Sequence, residues 1–169
     1  MALVKTFLIS FLTFSSFLFS QKITLSKSQI LKVFKSTIKQ NDRNKISVSS
    51  NPWFTDNTNN KYFNEKIIEL KNTRNFKQDY CKIIDWTFYK KDSFIIGDAD
   101  YCNEPPMQKV TKPENYINLK LEVKNAAIFL CLFNNDKLVD KFFIISLEKM
   151  KSQYNKSEFD LIIKLKRVN

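Results

Sequence analysis

The chain has 169 residues, and its 28 lysines and arginines outnumber its 17 acidic residues to give a formal net charge of +11. It contains no histidine and a single glycine, Gly97. These absences exclude histidine-activated nucleophiles, the common zinc sites and glycine-rich phosphate-binding loops, which leaves a carboxylate pair, a lysine or a tyrosine for catalysis.

The first predicted element is an export signal over residues 1–20. Lys5 precedes TFLISFLTFSSFLF, a stretch of 14 apolar and small hydroxyl residues, which is shorter than the ~20 apolar residues that span a bilayer. We expect cleavage after Ser20, so that residues 21–169 form a single globular α+β domain in the periplasm or outside the cell. No later stretch predicts a transmembrane segment.

The pattern over residues 26–40 predicts an α-helix. Ser26 and Gln29 have the spacing of a capping box, and Leu25 and Ile30 have that of a hydrophobic staple. An apolar stripe at helical spacing consists of Ile30, Leu31, Phe34 and Ile38. The pattern favours a solvated surface for the lysines on the other face, and a cationic surface for an anionic membrane or polymer is the alternative.

A turn-rich segment follows residue 50 and carries the adjacent aromatics Trp53 and Phe54. These side chains either plug one end of the core, which the general burial of aromatics favours, or form an exposed contact for a ligand. Residues 61–72 predict a second helix. A β-strand is the alternative there because the segment contains adjacent β-branched isoleucines.

From residue 80 onward the chain predicts β-strands joined by short connections, which favour antiparallel neighbours. The strands are a hairpin within 81–102 and four further stretches at 117–124, 126–133, 138–147 and 159–168. We therefore predict an α+β fold, in which one or two N-terminal helices pack on a curved antiparallel sheet of about six strands with mostly hairpin connections.

Two cysteines bound the predicted hairpin. With an even-length turn centred on Lys91-Asp92, Cys81 lies directly opposite Cys102, where two Cβ atoms are close enough for a disulfide. An exported protein can keep such a bond. The same register places Trp86 over Gly97, an arrangement that stabilises a glycine in a strand.

The third cysteine, Cys131, lies in the continuously apolar stretch 126–133. The surrounding residues favour an inert buried thiol. A link to another chain is the alternative.

The predicted register also creates an acidic candidate site. Asp85 faces Asp98, and Asp100 lies diagonally beside them on the same face, although like charges directly opposite each other destabilise a sheet. Solvent exposure with a nearby lysine such as Lys82 is the favoured explanation. A bound cation such as calcium and a catalytic carboxylate pair of the glycosidase type are the alternatives.

The favoured function is a non-enzymatic binding protein that recognises a protein or an anionic component of the cell envelope. We expect no cofactor and no metal. We also expect no nucleic-acid partner, because the positive charge is nearly all lysine and the chain is exported. The second hypothesis is a small-ligand carrier with a cavity between helix and sheet, lined by residues such as Phe34 and Phe129. The third is a hydrolase that uses Asp85, Asp98 or Asp100 with a supporting tyrosine such as Tyr101.

Overall fold

The computed structural model describes residues 25–40, 46–47, 51–73, 80–153, 155 and 157–168. The predicted export signal lies outside these residues. Two α-helices occur in this part of the chain, α1 (Lys27–Ser36) and α2 (Lys61–Asn64). Its strands are β1 (Lys39–Gln40), β2 (Ile46–Ser47), β3 (Trp53–Asp56), β4 (Ile67–Asn72), β5 (Lys82–Lys90), β6 (Ser93–Asp100), β7 (Met107–Gln108), β8 (Tyr116–Lys124), β9 (Ala127–Asn134), β10 (Lys137–Lys151) and β11 (Phe159–Arg167).

Eight of these strands close into an antiparallel barrel. The order around the barrel is β5-β3-β4-β11-β10-β9-β8-β6, and β6 pairs with β5 to complete the ring. β7 pairs with β6 beside the ring, and β1 pairs with β2 separately. The predicted α+β fold, with helices packed on an open curved sheet of about six strands, is therefore wrong.

The ring closes because two more strands join the six that the sequence predicts. β3 lies in the turn-rich segment, and β4 occupies most of the segment predicted as a second helix. In β4 the buried Ile68 and Leu70 alternate with the exposed Ile67 and Glu69, which is the pattern of a strand with one buried face. The strand alternative was therefore the better prediction for β4, and the helix is confined to the four residues of α2.

Aromatic side chains fill the barrel interior. Trp53, Trp86, Phe88, Phe94 and Phe142 are all fully buried. The Trp86 ring stacks on Phe94 with 4.5 Å between ring centroids, and it is tilted against Phe142 at 6.2 Å. Such ring pairs add to the stabilisation that burial of their apolar area provides.

Helix α1 covers the end of the barrel at which β3 begins. Ser26 caps the helix, since its Oγ accepts a hydrogen bond from the backbone N–H of Gln29 at 3.3 Å, which confirms the predicted start. Phe34 is buried against the interior, stacked on Phe88 at 4.5 Å and edge-on to Trp53 at 5.5 Å. The helix ends at Ser36, earlier than predicted, and the chain continues into β1.

Helix α2 covers the opposite end of the barrel, where β3 ends and β4 begins. Tyr62 is buried there, and its hydroxyl accepts a hydrogen bond from the Trp86 indole at 3.2 Å. Arg167 anchors the helix through hydrogen bonds: its guanidinium donates to the carbonyls of Tyr62 at 3.0 Å and Phe63 at 2.9 Å. The same group donates to both carboxylate oxygens of Asp140, the nearer at 3.0 Å.

Within the described residues, no helix is both long and apolar enough to cross a membrane.

Candidate functional site

The cysteine-bounded hairpin consists of β5 and β6, and its two ends are joined by a disulfide between Cys81 and Cys102. The Cα atoms of the two cysteines are 4.9 Å apart. The backbone N–H of Tyr101 donates to the Cys81 carbonyl at 2.6 Å, which extends the hairpin pairing to its base. The predicted cysteine pairing is confirmed.

The predicted register of this hairpin holds only at its tip. Lys90 pairs with Ser93 as expected, but a β-bulge follows between Phe88 and Lys90, and every later pair is displaced by one residue. A bulge places two residues of one strand opposite one residue of the other, so it shifts the remaining alignment. Asp85 consequently faces Gly97, and Trp86 faces Ile96.

This displacement moves Asp85 away from the other two aspartates. Its side chain lies over Gly97, where a Cβ atom would overlap the carboxylate oxygens. Trp86 does not cover Gly97, because its ring is inside the barrel. The predicted cluster of Asp85, Asp98 and Asp100 on one face is therefore wrong, since a one-residue slip turns a side chain to the other face of the sheet.

Asp85 occupies a partly buried position on the outer face of the hairpin. Burial raises the pKa of its carboxyl, and the negative charge of Asp98 raises it further. A hydrogen bond that the Thr87 hydroxyl donates to Asp85 Oδ1 at 2.7 Å opposes both effects. Burial and the Asp85 charge also raise the pKa of Tyr101.

Asp98 and Asp100 each pair with a lysine at the end of the barrel that α2 covers. Asp98 accepts a hydrogen bond from the ammonium of Lys109, and Asp100 lies 3.6 Å from that of Lys82. Asp100 also accepts from the backbone N–H of Cys102 at 2.9 Å. Among the described residues, no group of three or more histidine, cysteine, aspartate or glutamate side chains could hold a metal ion.

A cleft of about 520 Å³ lies beside these two ion pairs. Its walls come from the turn after β3, the start of β5, the end of β6 and the short strand β7. The lining residues are Asn57, Asn59, Asn60, Lys82, Asp98, Ala99, Asp100, Met107, Gln108 and Lys109. Four amides, two carboxylates and two ammonium groups give this cleft a balanced charge, and Ala99 and Met107 add apolar surface. We call it the end cleft.

Asn57 is the most deeply buried polar residue of the end cleft. Only 7% of the residue is exposed, and its Oδ1 has no hydrogen-bond partner in the described part of the chain. The turn that follows is fixed by the backbone: Asn57 N–H donates to the Lys82 carbonyl at 2.8 Å, and Asn59 and Asn60 adopt the left-handed conformation that asparagine tolerates. A buried acceptor without a partner costs free energy, so the described residues leave this oxygen unsatisfied in the wall of the end cleft.

The sequence patterns did not predict Asn57 as a site residue. The signal that was available is the run of asparagines at 57, 59 and 60, because asparagine both forms tight turns and tolerates the left-handed region. The contribution of β7 to the same cleft depends on strand pairing, which no local pattern reports.

The remaining predicted site residues are buried. Trp53 lies inside the barrel, and Phe54 lies in a small cluster on its outer face with Ile83 and Ala99. Both aromatics are 0% exposed, so neither forms the exposed ligand contact that was the alternative. Cys131 is a free, buried thiol whose pKa burial raises.

Comparisons with protein-family models, with curated proteins and with solved structures found no match to this chain.

Proposed function

We propose that the protein is a small, exported, non-enzymatic binding protein, and that the end cleft recognises a polar segment of a partner protein. The observation that carries the proposal is the buried Oδ1 of Asn57, which no described residue partners, in a cleft lined by amides and paired charges. Backbone N–H groups and polar side chains of a protein segment supply the donors that such an oxygen lacks. If the export signal over residues 1–20 is removed, mass spectrometry of the protein isolated from its source should show a chain that starts at Gln21.

The arrangement of the carboxylates favours binding over hydrolysis. A glycosidase-type mechanism needs two carboxyl groups that face each other across the bond to be broken. In the end cleft Asp98 and Asp100 each form an ion pair with a lysine. Asp85 lies on the other face of the hairpin, so it does not face either of them across the cleft.

The filled interior favours a surface cleft over an internal cavity. Phe34 packs directly on Phe88 inside the barrel. Phe129 does not line a space between helix and sheet, because it lies on the outer face, where the Lys141 ammonium is 5.2 Å from its ring centroid. Strand alternation explains its position, since its neighbours Ile128 and Leu130 belong to the core.

Site-specific photo-crosslinking tests the proposal. A benzophenone side chain at Gln108, in the end cleft, is expected to capture a discrete partner from an envelope extract of the source organism. The same group at Lys151, exposed at the far end of β10, serves as the control position. Equal crosslinking from both positions would refute a partner at the cleft.

A charge exchange provides the matched variant. Asp98→Lys combined with Lys109→Asp keeps an ion pair between β6 and the segment that follows β7. We therefore expect its melting temperature to stay within a few degrees of that of the unaltered protein. The exchange inverts the charges that a ligand meets, so we expect crosslinking from Gln108 to fall about tenfold or more. Unchanged crosslinking in this variant would count against recognition by the cleft.

A further inference from the structure

Three strongly exposed apolar side chains lie at the end of the barrel that α2 covers. Phe63 is 57% exposed, Leu138 is 48% exposed and Val139 is 50% exposed. The three line one groove of about 410 Å³ together with Val168 and the Arg167–Asp140 pair. We call Phe63, Leu138 and Val139 the apolar tip.

Specific backbone features hold the apolar tip in place. A β-bulge in β10 between Leu138 and Asp140 leaves both Leu138 and Val139 exposed, whereas regular alternation would turn one of the two inward. Phe63 packs edge-on against Tyr62 at 4.9 Å, and Arg167 binds its carbonyl. The exposure of these side chains is therefore built into an ordered part of the fold.

Two lysine side chains adjoin the apolar tip. Lys66 and Lys166 line a second groove, which shares Arg167 and Val168 with the first. Neither lysine forms an ion pair with another described residue, whereas Lys141 pairs with Glu122 at 2.7 Å and Arg167 pairs with Asp140. The net charge of +11 has the same sign as this local excess.

We propose that the apolar tip, together with Lys66 and Lys166, docks on the surface of an anionic lipid bilayer. Apolar side chains beside lysines suit the headgroup boundary, where the former enter the apolar side and the latter meet lipid phosphates. Charge complementarity favours a membrane over a protein as the partner of this surface, because an anionic leaflet attracts both these two lysines and the basic protein as a whole. The end cleft and the groove of the apolar tip both lie at the barrel end that α2 covers, but they share no lining residue, so each can be altered without the other.

Vesicle co-sedimentation tests the proposal with the protein as isolated from its source and with variants prepared identically. The probes are vesicles of pure phosphatidylcholine and vesicles of which about one third is phosphatidylglycerol. The tip variant carries Phe63→Ser and Val139→Ser. The matched control carries Phe159→Ser and Val123→Ser, which are similarly exposed, at 51% and 60%, but lie elsewhere on the barrel.

We expect the tip variant to bind the anionic vesicles at least about tenfold more weakly, and the control variant to change by less than about twofold. Lys66→Gln with Lys166→Gln should also reduce anionic binding about tenfold or more, whereas Lys90→Gln with Lys91→Gln, which lowers the net charge equally at the hairpin turn, should have a small effect. Near-ultraviolet circular dichroism checks that every variant is folded.

Three outcomes would overturn the proposal. The first is equal loss of binding in the tip and control variants, which would indicate a general effect of charge or apolar area. The second is no preference of the unaltered protein for anionic vesicles at low salt. The third is normal vesicle binding by the tip variant with loss of a protein partner, which would assign the apolar tip to a protein. The Asp98→Lys, Lys109→Asp variant should bind vesicles normally, so this test and the cleft test fail independently.

Discussion

One missing methyl group at position 97 determines where the Asp85 carboxylate lies. Any side chain at residue 97 would overlap Asp85 Oδ2 and Cγ. We predict that Gly97→Ala displaces the carboxylate, breaks its hydrogen bond with Thr87 and lowers the free energy of unfolding by about 1–2 kcal/mol. Chemical denaturation of the variant and the unaltered protein measures this difference.

A double-mutant cycle separates this contact from the general effect of alanine in a strand. Adding Asp85→Ala removes the overlap, and alanine is intrinsically better than glycine within a strand. The double variant should therefore regain stability, with a coupling energy of about 1 kcal/mol or more. Asp98→Ala is the matched control, since Asp98 lies on the other face, and its effect should add to that of Gly97→Ala. Additive effects in both cycles would show that Asp85 does not depend on Gly97.

At the scale of residues, the sequence predicted the helix cap and the disulfide, but it did not predict which residues face each other across the hairpin. The cap at Ser26 and the pairing of Cys81 with Cys102 depend on residues close in sequence or on a tolerant geometry, and both are present. The partner of Gly97 depends on the register, which a single bulge beside the turn displaced. The predicted acidic site is therefore absent, because Asp85 lies on a different face from Asp98 and Asp100. The end cleft instead includes asparagines that the sequence patterns had assigned only to a turn.

At the scale of elements, Arg167 connects β11 to the helix that covers the barrel end. Its guanidinium reaches the carbonyls of Tyr62, Phe63 and Glu65 and the carboxylate of Asp140. Its planar set of donors matches this arrangement, which the single ammonium of lysine cannot reproduce. Burial raises the pKa of Asp140 even though the Arg167 charge lowers it, so this carboxylate needs its partner.

We predict that Arg167→Lys lowers the free energy of unfolding by about 2–4 kcal/mol, because several carbonyls and a partly buried carboxylate lose their donors. Limited proteolysis should cut the segment around α2 faster in this variant. Lys164→Gln is the control: it removes the exposed 3.3 Å ion pair with Glu69, and pairs of this kind contribute about 0–1 kcal/mol. Similar losses in the two variants would mean that Arg167 acts only as a surface charge.

The elements themselves were predicted best where the pattern was long and regular. β8 and β9 lie within one residue of the predicted stretches 117–124 and 126–133. The segment of β4 was predicted first as a helix, with a strand as the alternative, because Phe63, Ile67 and Leu70 have helical spacing. Of these three residues only Leu70 is buried. The pairing of β4 with β11, such as Leu70 with Ile163, joins residues far apart in the chain and decides the conformation.

At the scale of the molecule, two short strand pairings, which we call the seams, divide the closed sheet into two groups of strands. β3, β5 and β6 form one group, and β4, β11, β10, β9 and β8 form the other. The seams are β3–β4, with one aligned pair at Phe54 and Lys71, and β6–β8, with three aligned pairs from Ser93 to Ile95. Closure along such seams depends on long-range contacts, which explains why sequence patterns predicted most strands but an open sheet.

The two seams are expected to open before the rest of the barrel does. Few backbone hydrogen bonds cross them, and local opening follows the weakest cooperative boundary. We predict that the amides of Phe54 and Ile95 exchange with solvent at least about tenfold faster than those of Leu121 and Leu130 within β8 and β9. Hydrogen exchange followed by NMR measures these rates residue by residue.

Side-chain hydrogen bonds that bridge each seam allow the two openings to be tested separately. The Asn72 amide donates to the carbonyls of Asn51 at 2.9 Å and Pro52 at 3.1 Å beside the β3–β4 seam, and the Ser93 hydroxyl donates to Asn118 at 3.0 Å across the β6–β8 seam. Asn72→Ala should accelerate exchange mainly at the first seam, and Ser93→Ala mainly at the second. If either variant accelerates exchange uniformly through the barrel, the two groups of strands do not separate at the seams and the ring opens as one unit.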